Sequence, residues 1–159
     1  MALLGLPLLV LLSLSATMAF PDGAPELTCN PLFDMRPVHS ETRPLNAKNS
    51  PYRLVQDKVD FAPKERVKVT LYTVGKPFRG FKVKSVDEQG QEVGRFIPGG
   101  GYKPLSECAA ATHQSRAEKE HVEMHWLAPA DRSGRVHFNA TVVHRYYEFY
   151  MNLTSTLQQ

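Results

Sequence analysis

Three histidines that lie close together in the sequence are the residues best suited by type to bind a metal or take part in catalysis. The stretch HVEMHWLAPADRSGRVHFNATVV contains His121, His125 and His137. If its two halves formed a hairpin, His125 and His137 would lie opposite each other, where two imidazoles and Glu123 could bind copper or zinc. The alternative is a connection that crosses between two sheets and leaves these rings exposed on outer faces. We favour this alternative and predict no metal site.

No other set of residues in the sequence suits catalysis. There is no G-x-S-x-G nucleophile motif, and the carboxylates are scattered singly rather than paired for acid–base chemistry. The glycine-rich stretch GRFIPGGGYK is not followed by a predicted helix that could bind a phosphate. We therefore predict that the protein is not an enzyme, has no catalytic residues and needs no cofactor.

The two cysteines, Cys29 and Cys108, are predicted to form one disulfide if the protein enters an oxidising compartment. Such a bond would close a long loop and stabilise the fold by roughly 4 kcal/mol on the chain-entropy model. The alternative is a reactive thiol or a metal-binding pair. The two cysteines lack the sequence spacing of zinc ligands, which argues against the metal-binding alternative.

Alternation of apolar and polar residues predicts short β-strands from residue 52 onward. The stretch ERVKVTLYTV places Val67, Val69 and Leu71 on one face, and HVEMHWLAP places Trp126 on an inward face. No segment has the pattern of an amphipathic helix. The sequence therefore predicts an all-β fold, an antiparallel sandwich of about seven to nine strands. Residues 20–51 are rich in proline and polar residues, and we predict an irregular leader and a long surface loop there.

Two glycosylation signals, at Asn139 and Asn152, are predicted to lie on the outward faces of their strands. The stretch RVHFNATVV points Phe138 and Ala140 inward and Asn139 outward. Because a glycan cannot occupy a protein core, the position of the signal agrees with this assignment of the faces.

The last strand-like stretch, YYEFYMNL, is rich in aromatic residues. Its alternation predicts that Tyr147, Phe149, Met151 and Leu153 point inward with the core. Tyr146 and Tyr150 are predicted to point outward, where they could contact a ligand. Packing at a sheet edge, or contact with a glycan, would explain these two tyrosines equally well.

Six basic residues on two consecutive predicted strands are candidates for binding an anion. They are Lys64, Arg66, Lys68, Arg79, Lys82 and Lys84. Together they could form one cationic surface for sulfated glycans, anionic lipids or microbial polymers. The alternative is the ordinary solvated outer face of a sheet, where lysine also discourages edge-to-edge pairing. The formal net charge of +3 is modest, and we predict no binding to nucleic acid.

Residues 1–19 have the features of a secretory signal peptide. They contain no charged side chain, the apolar run LLGLPLLVLLSLS, and small residues at Thr17 and Ala19. We expect cleavage after Ala19, a secreted chain that begins at Phe20, and one domain at residues 20–159. The apolar run is short for a bilayer, so we expect no membrane span.

Several short motifs, taken in their order, resemble those of reeler domains. They are FPDGAP, the cysteine that follows it, FRGFKVKSVD with VGRF after it, the second cysteine followed by ATH, and MHWLAPADRSGRVHFNATVV. The resemblance covers residues 20–153 and implies an immunoglobulin-like β-sandwich. It also implies that Cys29 and Cys108 are the cysteines of the family, and it supplies no catalytic residues.

Reeler domains occur in matrix proteins, in membrane reductases and as small secreted proteins, among which are insect defence proteins. The resemblance to the secreted group implies an innate-defence protein that binds microbial surface polymers and is suspected of antimicrobial action. The alternative is an extracellular-matrix or adhesion module that binds glycosaminoglycans or a protein partner. In either case we expect a monomer.

Overall fold

The computed structural model describes residues 20–33, 35–38 and 41–159, so the predicted signal peptide lies outside the described residues. These residues form twelve β-strands and three short 3₁₀ helices. The strands are β1 (Tyr52–Gln56), β2 (Asp60–Phe61), β3 (Arg66–Thr73), β4 (Gly80–Val86), β5 (Arg95–Ile97), β6 (Tyr102–Pro104), β7 (Ala110–His113), β8 (His121–Leu127), β9 (Gly134–Arg135), β10 (His137–Arg145), β11 (Glu148–Thr154) and β12 (Thr156–Leu157). The 3₁₀ helices are Glu26–Cys29, Pro31–Phe33 and Ala47–Asn49. No helix in this part of the chain is long and apolar enough to cross a membrane.

Ten of the strands form two five-stranded sheets that pack face to face. Sheet I has the strand order β12-β1-β3-β8-β5, and sheet II has the order β11-β10-β4-β7-β6. Strands β2 and β9 form a separate two-stranded sheet. Neighbouring strands run antiparallel, except that β12 runs parallel to β1. The predicted all-β sandwich is confirmed, with this one parallel pair as a correction.

The core lies between the two sheets and is built from the residues that alternation points inward. The three apolar residues of β3 predicted to face inward are fully buried. Trp126 is also fully buried, and its indole N–H donates a hydrogen bond of 2.9 Å to the carbonyl oxygen of Val93. The ring of Trp126, from sheet I, meets the ring of Phe138, from sheet II, edge to face at 6.0 Å. Such aromatic pairs join the two sheets at the centre of the sandwich.

The structure contains more strands than the seven to nine that alternation predicts. The strand predicted at EVGRFI is confirmed as β5, whereas β2, β6, β7, β9 and β12, with two to four residues each, were not predicted. Strands of this length contain too little alternation to be distinguished from loops in the sequence. Strands β6 and β12 lie at sheet edges, β7 lies inside sheet II, and β2 and β9 form the separate sheet, so the predicted core is unchanged.

The two halves of the histidine-containing stretch lie in different sheets. Strand β8 belongs to sheet I and β10 to sheet II, so the connection between them crosses the sandwich. His125 therefore lies on the outer face of sheet I and His137 on the outer face of sheet II, and the hairpin that would bring them together does not form. Among the residues that the structure describes, no three His, Cys, Asp or Glu side chains are grouped so that they could hold a metal ion.

The predicted faces of β11 are partly wrong, because the pairing of β11 with β10 is irregular. Tyr150 faces the core, where its ring lies 5.6 Å from the ring of Tyr52. Phe149 faces outward but is fully buried, and it is not part of the core cluster. Asn152 adopts a φ of +59°, and after it Leu153 faces the core again. The pairing has two register shifts, and the one between Ala140 and Val142 inverts the face assignment for the first half of β11. Tyr147, also predicted to face inward, precedes β11 and is exposed.

Candidate functional site: a cavity beneath the N-terminal leader

The outer face of sheet II is covered by the leader segment, defined as residues 20–33 and 35–38. The main-chain N–H of Ala24 donates a hydrogen bond of 3.0 Å to the hydroxyl oxygen of Thr112 on β7. The hydroxyl of Thr141 on β10 donates one of 2.8 Å to the carbonyl oxygen of Met35. Because Thr112 and Thr141 come from different strands, the leader segment is held across the width of the sheet.

A disulfide and a carboxylate fix the middle of the leader segment. Cys29 and Cys108 form the disulfide that the sequence predicts. The carboxylate of Glu26 accepts hydrogen bonds from the main-chain N–H groups of Ser106 and Glu107, at 2.9 and 3.1 Å. Burial opposes the ionisation of Glu26, but these hydrogen bonds outweigh it and lower the pKa of the carboxyl group. The disulfide and the hydrogen bonds of Glu26 therefore attach the leader segment to one loop, residues 106–108, which precedes β7.

Gly23 allows the leader segment to approach β7 closely. Its φ is +104°, a conformation that residues with a side chain rarely adopt. A Cβ atom at this position would lie 2.2 Å from the carbonyl oxygen of His113 and 2.8 Å from the methyl group of Thr112. Only glycine therefore permits the observed contact between the leader segment and the sheet.

Lys82 is buried beneath the leader segment, although the sequence predicts it to be an exposed cation. Its side chain faces outward from β4 but is only 7% exposed. The Nζ atom donates hydrogen bonds to the carbonyl and hydroxyl oxygens of Thr28, at 2.6 and 3.2 Å. No carboxylate of a described residue lies within ion-pair distance of it. Burial, with a smaller effect from the charge of Lys84, lowers the pKa of Lys82 to about 8.

A half-enclosed cavity of about 600 Å³ lies between the leader segment and sheet II. This volume is typical of a small-molecule site. Much of its wall is apolar and includes Phe20, Met35, Val38, Val143 and Tyr146. Five basic residues also line the cavity: Arg36, Arg79, Lys82, Arg116 and Arg145. None of the described residues that line it is an aspartate or a glutamate, so the cavity is both apolar and cationic.

Three of these arginines lie at the same end of the cavity. Strand β4 runs antiparallel to both of its neighbours, β10 and β7. The start of β4 therefore lies beside the ends of these two strands. Arg79 directly precedes β4, Arg145 is the last residue of β10, and Arg116 follows the end of β7. The topology thus brings together three cations that are far apart in the sequence.

The arginines differ in whether their guanidinium groups already have a partner within the protein. Arg79 forms an ion pair with Glu118 at 3.0 Å, and Arg36 donates a hydrogen bond of 3.0 Å to the carbonyl oxygen of Thr42. Arg116 and Arg145 are exposed, and neither forms an ion pair with another residue in the described part of the chain. These two guanidinium groups are therefore available to an anionic ligand.

His113, on the cavity wall, is a neutral hydrogen-bonding residue. Its Nδ1 atom accepts a hydrogen bond of 3.1 Å from the main-chain N–H of Phe81, so the ring hydrogen is on Nε2. Burial lowers the pKa of His113, which keeps the imidazole uncharged at neutral pH. The neighbouring hydroxyl of Thr112 donates to the carbonyl oxygen of Phe81 at 2.7 Å. The hydroxyl oxygen of Thr112 also lies 3.3 Å from Nδ1 of His113, so the two side chains form one polar group beside the cavity.

The six basic residues predicted to bind an anion do not form one surface. Strand β3 lies in sheet I and β4 in sheet II, and the outer faces of two packed sheets point in opposite directions. On the sheet I side lie Lys64, Arg66 and Lys68. On the sheet II side lie Arg79, Lys82 and Lys84. Lys84 is paired with Glu92 at 3.2 Å, and Lys68 lies 3.9 Å from Glu123, so both charges are partly offset.

Three of the basic residues that line the cavity were not among the predicted site residues: Arg36, Arg116 and Arg145. The first belongs to the leader segment, the second to a loop, and the third is the last residue of a strand. Strand alternation indicates faces within a strand and gives no position for residues in loops. The available signal was the predicted disulfide, because it places the leader close to Cys108, which is 79 positions away in the sequence.

Both glycosylation signals lie on sheet II, in neighbouring strands. Asn139 is half-buried on the outward face of β10, and Asn152 is exposed on β11. The hydroxyl of Thr154, which belongs to the second signal, donates a hydrogen bond of 3.2 Å to the side-chain oxygen of Asn139. The outward positions agree with the predicted faces, and glycosylation at the two sites stays a prediction.

Comparison with known proteins identifies several relatives. The sequence model of the Reeler domain matches residues 29–158. "Putative defense protein 3" of Antheraea mylitta is 31% identical over 154 residues, which cover 92% of this chain and 90% of that protein. Ferric-chelate reductase 1 of Mus musculus is 24% identical over 92% of this chain. The chain spans about a quarter of the length of the ferric-chelate reductases that it matches.

Solved structures share the fold. The crystal structure of the human F-spondin reeler domain superposes with a TM-score of 0.61 and 20% sequence identity. The match covers 77% of this chain and 97% of the F-spondin domain. The two-sheet sandwich and the sequence match over most of the chain lead to the same conclusion: the chain belongs to the reeler domain family.

Proposed function

We propose that the protein acts outside the cell as an innate-defence protein that binds anionic polymers of microbial surfaces. The observation that carries this proposal is the match to a named defence protein over nearly the full length of both chains. The disulfide between Cys29 and Cys108 supports an oxidising, extracellular location. The ferric-chelate reductases match over only a quarter of their length, so we do not transfer a redox activity to this chain.

The charge distribution on the leader side supports binding to a polyanion. Arg116 and Arg145 are exposed and form no ion pair with described residues, and Arg36 and Arg79 lie around the same cavity. Guanidinium groups bind phosphate and carboxylate through paired hydrogen bonds. We therefore place the polymer-binding surface around the mouth of the cavity rather than on β3, where Lys68 already has Glu123 as a neighbour.

Binding measurements with the purified protein would test this function. The ligands are whole bacteria, lipopolysaccharide, peptidoglycan and heparin, each over a series of salt concentrations. We expect binding to the microbial polymers that weakens as salt rises, because added ions screen exposed charges. Binding to heparin alone would overturn the proposal and favour the matrix or adhesion module. Binding to none of them would also overturn it and would indicate a protein receptor.

A further inference from the structure

We propose that the cavity beneath the leader segment binds an amphiphile that has one long acyl chain and an anionic head group. The acyl chain would lie along the apolar wall, and the head group would lie at the end where the three arginines meet. This inference goes beyond the proposed function and does not rest on it, because it concerns a small ligand held inside the cavity.

The shape and lining of the cavity favour an acyl chain over a carbohydrate. The leader segment half-encloses the space, and its residues Phe20, Met35 and Val38 face Val143 on the sheet. A sugar polymer placed there would leave hydroxyl groups without hydrogen-bond partners, which is costly. An acyl chain would instead gain favourable transfer free energy with each CH₂ group that it removes from water.

Gly80 makes room for the imidazole of His113 on the floor of the cavity. It is paired with Val143 of β10, between the arginine end and the Lys82–Thr141 pair. A Cβ atom at Gly80 would lie 3.0 Å from the His113 ring, so the absence of a side chain lets this ring lie over the start of β4. The His113 ring and Val143 therefore both line the cavity near the arginine end.

The charges at the arginine end favour an anionic head group. Arg79, Arg116 and Arg145 line this end, and Arg79 forms an ion pair with Glu118. Glu148 is the cross-strand partner of Arg145, but the two do not form an ion pair. The guanidinium groups of Arg116 and Arg145 are therefore left to bind a carboxylate or a phosphate.

Lys82 adds positive charge beneath the far end of the cavity without blocking it. Its Nζ atom is directed to the oxygen atoms of Thr28, so its aliphatic stem is the part that can form cavity wall. No described carboxylate lies within ion-pair distance of this ammonium group. The field of a buried cation that lacks a counter-ion disfavours a cationic ligand anywhere in the cavity.

Calorimetric titration of the purified protein would test the proposal. The probes are palmitate and lysophosphatidic acid, which share the chemistry but differ in head group, each used below the concentration at which it forms micelles. Monoacylglycerol is the uncharged control and acetate the control without a chain. We expect palmitate, lysophosphatidic acid or both to bind, and the uncharged and short probes to bind at least about tenfold more weakly. A stronger response to palmitate would identify a fatty acid, and a stronger response to lysophosphatidic acid would identify a phosphate head group.

Three variants locate the site. Val143→Trp would fill the cavity, and the double variant Arg116→Glu/Arg145→Glu would reverse the charge at its mouth. We expect each to weaken binding at least about tenfold. The double variant Arg66→Glu/Lys68→Glu, on the outer face of sheet I, is the matched control and should bind as the parent does. Failure of both anionic amphiphiles to bind, or unchanged binding by a folded Val143→Trp variant, would overturn the proposal.

Discussion

The Nζ atom of Lys82 lies 2.6 Å from the carbonyl oxygen of Thr28 and 3.2 Å from its hydroxyl oxygen. Lys82 belongs to the middle strand of sheet II, and Thr28 to the leader segment that crosses this sheet. A charged side chain on the outer face of a sheet is ordinarily solvated. Here it is one of the contacts that hold a separate segment of the chain, and this arrangement creates the cavity.

Replacement of Lys82 by methionine should change how stability depends on pH. The pKa of Lys82 is about 8 in the folded protein and about 10.5 in the unfolded chain. Below pH 8, Lys82 is protonated in both states, and its buried charge destabilises the folded state by the full amount. Between pH 8 and pH 10.5 the folded state releases this proton first, so the destabilisation decreases as pH rises. The free energy of unfolding of the parent, relative to Lys82→Met, should rise by about 2 kcal/mol from pH 7 to pH 10. Urea unfolding at several pH values would measure it.

Lys68→Met is the matched control for the Lys82 experiment. Lys68 also lies on the outer face of a central strand, but it is only half-buried and no leader covers it. This variant keeps Lys82, so it should keep the rise in stability from pH 7 to pH 10 that Lys82 gives the parent. The same rise in Lys82→Met would contradict the burial of the Lys82 ammonium group.

Replacement of Thr141 by valine should loosen the leader segment. The variant loses the hydrogen bond to the carbonyl oxygen of Met35, which should lower the free energy of unfolding by about 1 kcal/mol. It also destroys the glycosylation signal at Asn139. Production of the parent and the variant in a host that does not glycosylate proteins removes the glycan from both, so it separates the two effects. Equal stability of the two unglycosylated proteins would show that the hydrogen bond to the leader contributes nothing.

Removal of the disulfide should release the leader segment and destabilise the domain. A Cys29→Ser/Cys108→Ser variant loses a bond between residues 79 positions apart, with an expected loss of about 4 kcal/mol. Chemical unfolding would give the loss, and limited proteolysis would show whether cleavage begins within residues 20–38. Protease resistance of this segment equal to that of the parent would mean that its hydrogen bonds alone hold it.

Gly94→Ala should destabilise the core more than Gly90→Ala does. Both glycines have positive φ, which costs a residue with a side chain about 1 kcal/mol. At Gly94 the added Cβ atom would also lie 2.3 Å from the ring of Trp126, whereas at Gly90 nothing lies within 4 Å. We expect Gly94→Ala to lose at least about 2 kcal/mol more, because overpacking displaces a buried ring. Equal losses would mean that the ring can move aside freely.

The sequence predicts the core well, because alternation within a strand directly reflects which side chains face the other sheet. Val67, Val69 and Trp126 are buried as predicted. The same pattern does not show what covers the other face. Lys82 and Thr141 do face outward, but they are buried because a segment more than 40 residues earlier in the chain lies over them.

Two further errors have different physical causes. Tyr150 was predicted to face outward, and the irregular pairing of β11 with β10 turns it to the core. Arg116 lies in a loop, where no periodicity exists. It reaches the cavity because β7 ends beside the start of β4. Contacts between elements distant in the sequence, rather than the elements themselves, therefore account for most of the site.

Binding of lipopolysaccharide by two charge-reversal variants would decide which face of the protein carries the proposed function. Arg116→Glu/Arg145→Glu alters the leader side, and Arg66→Glu/Lys68→Glu alters the outer face of sheet I. If the leader side binds the polymer, affinity falls at least about tenfold in the first variant and stays near the parent value in the second. Loss of affinity in the second variant alone, or equal loss in both, would contradict the placement of function on the leader side.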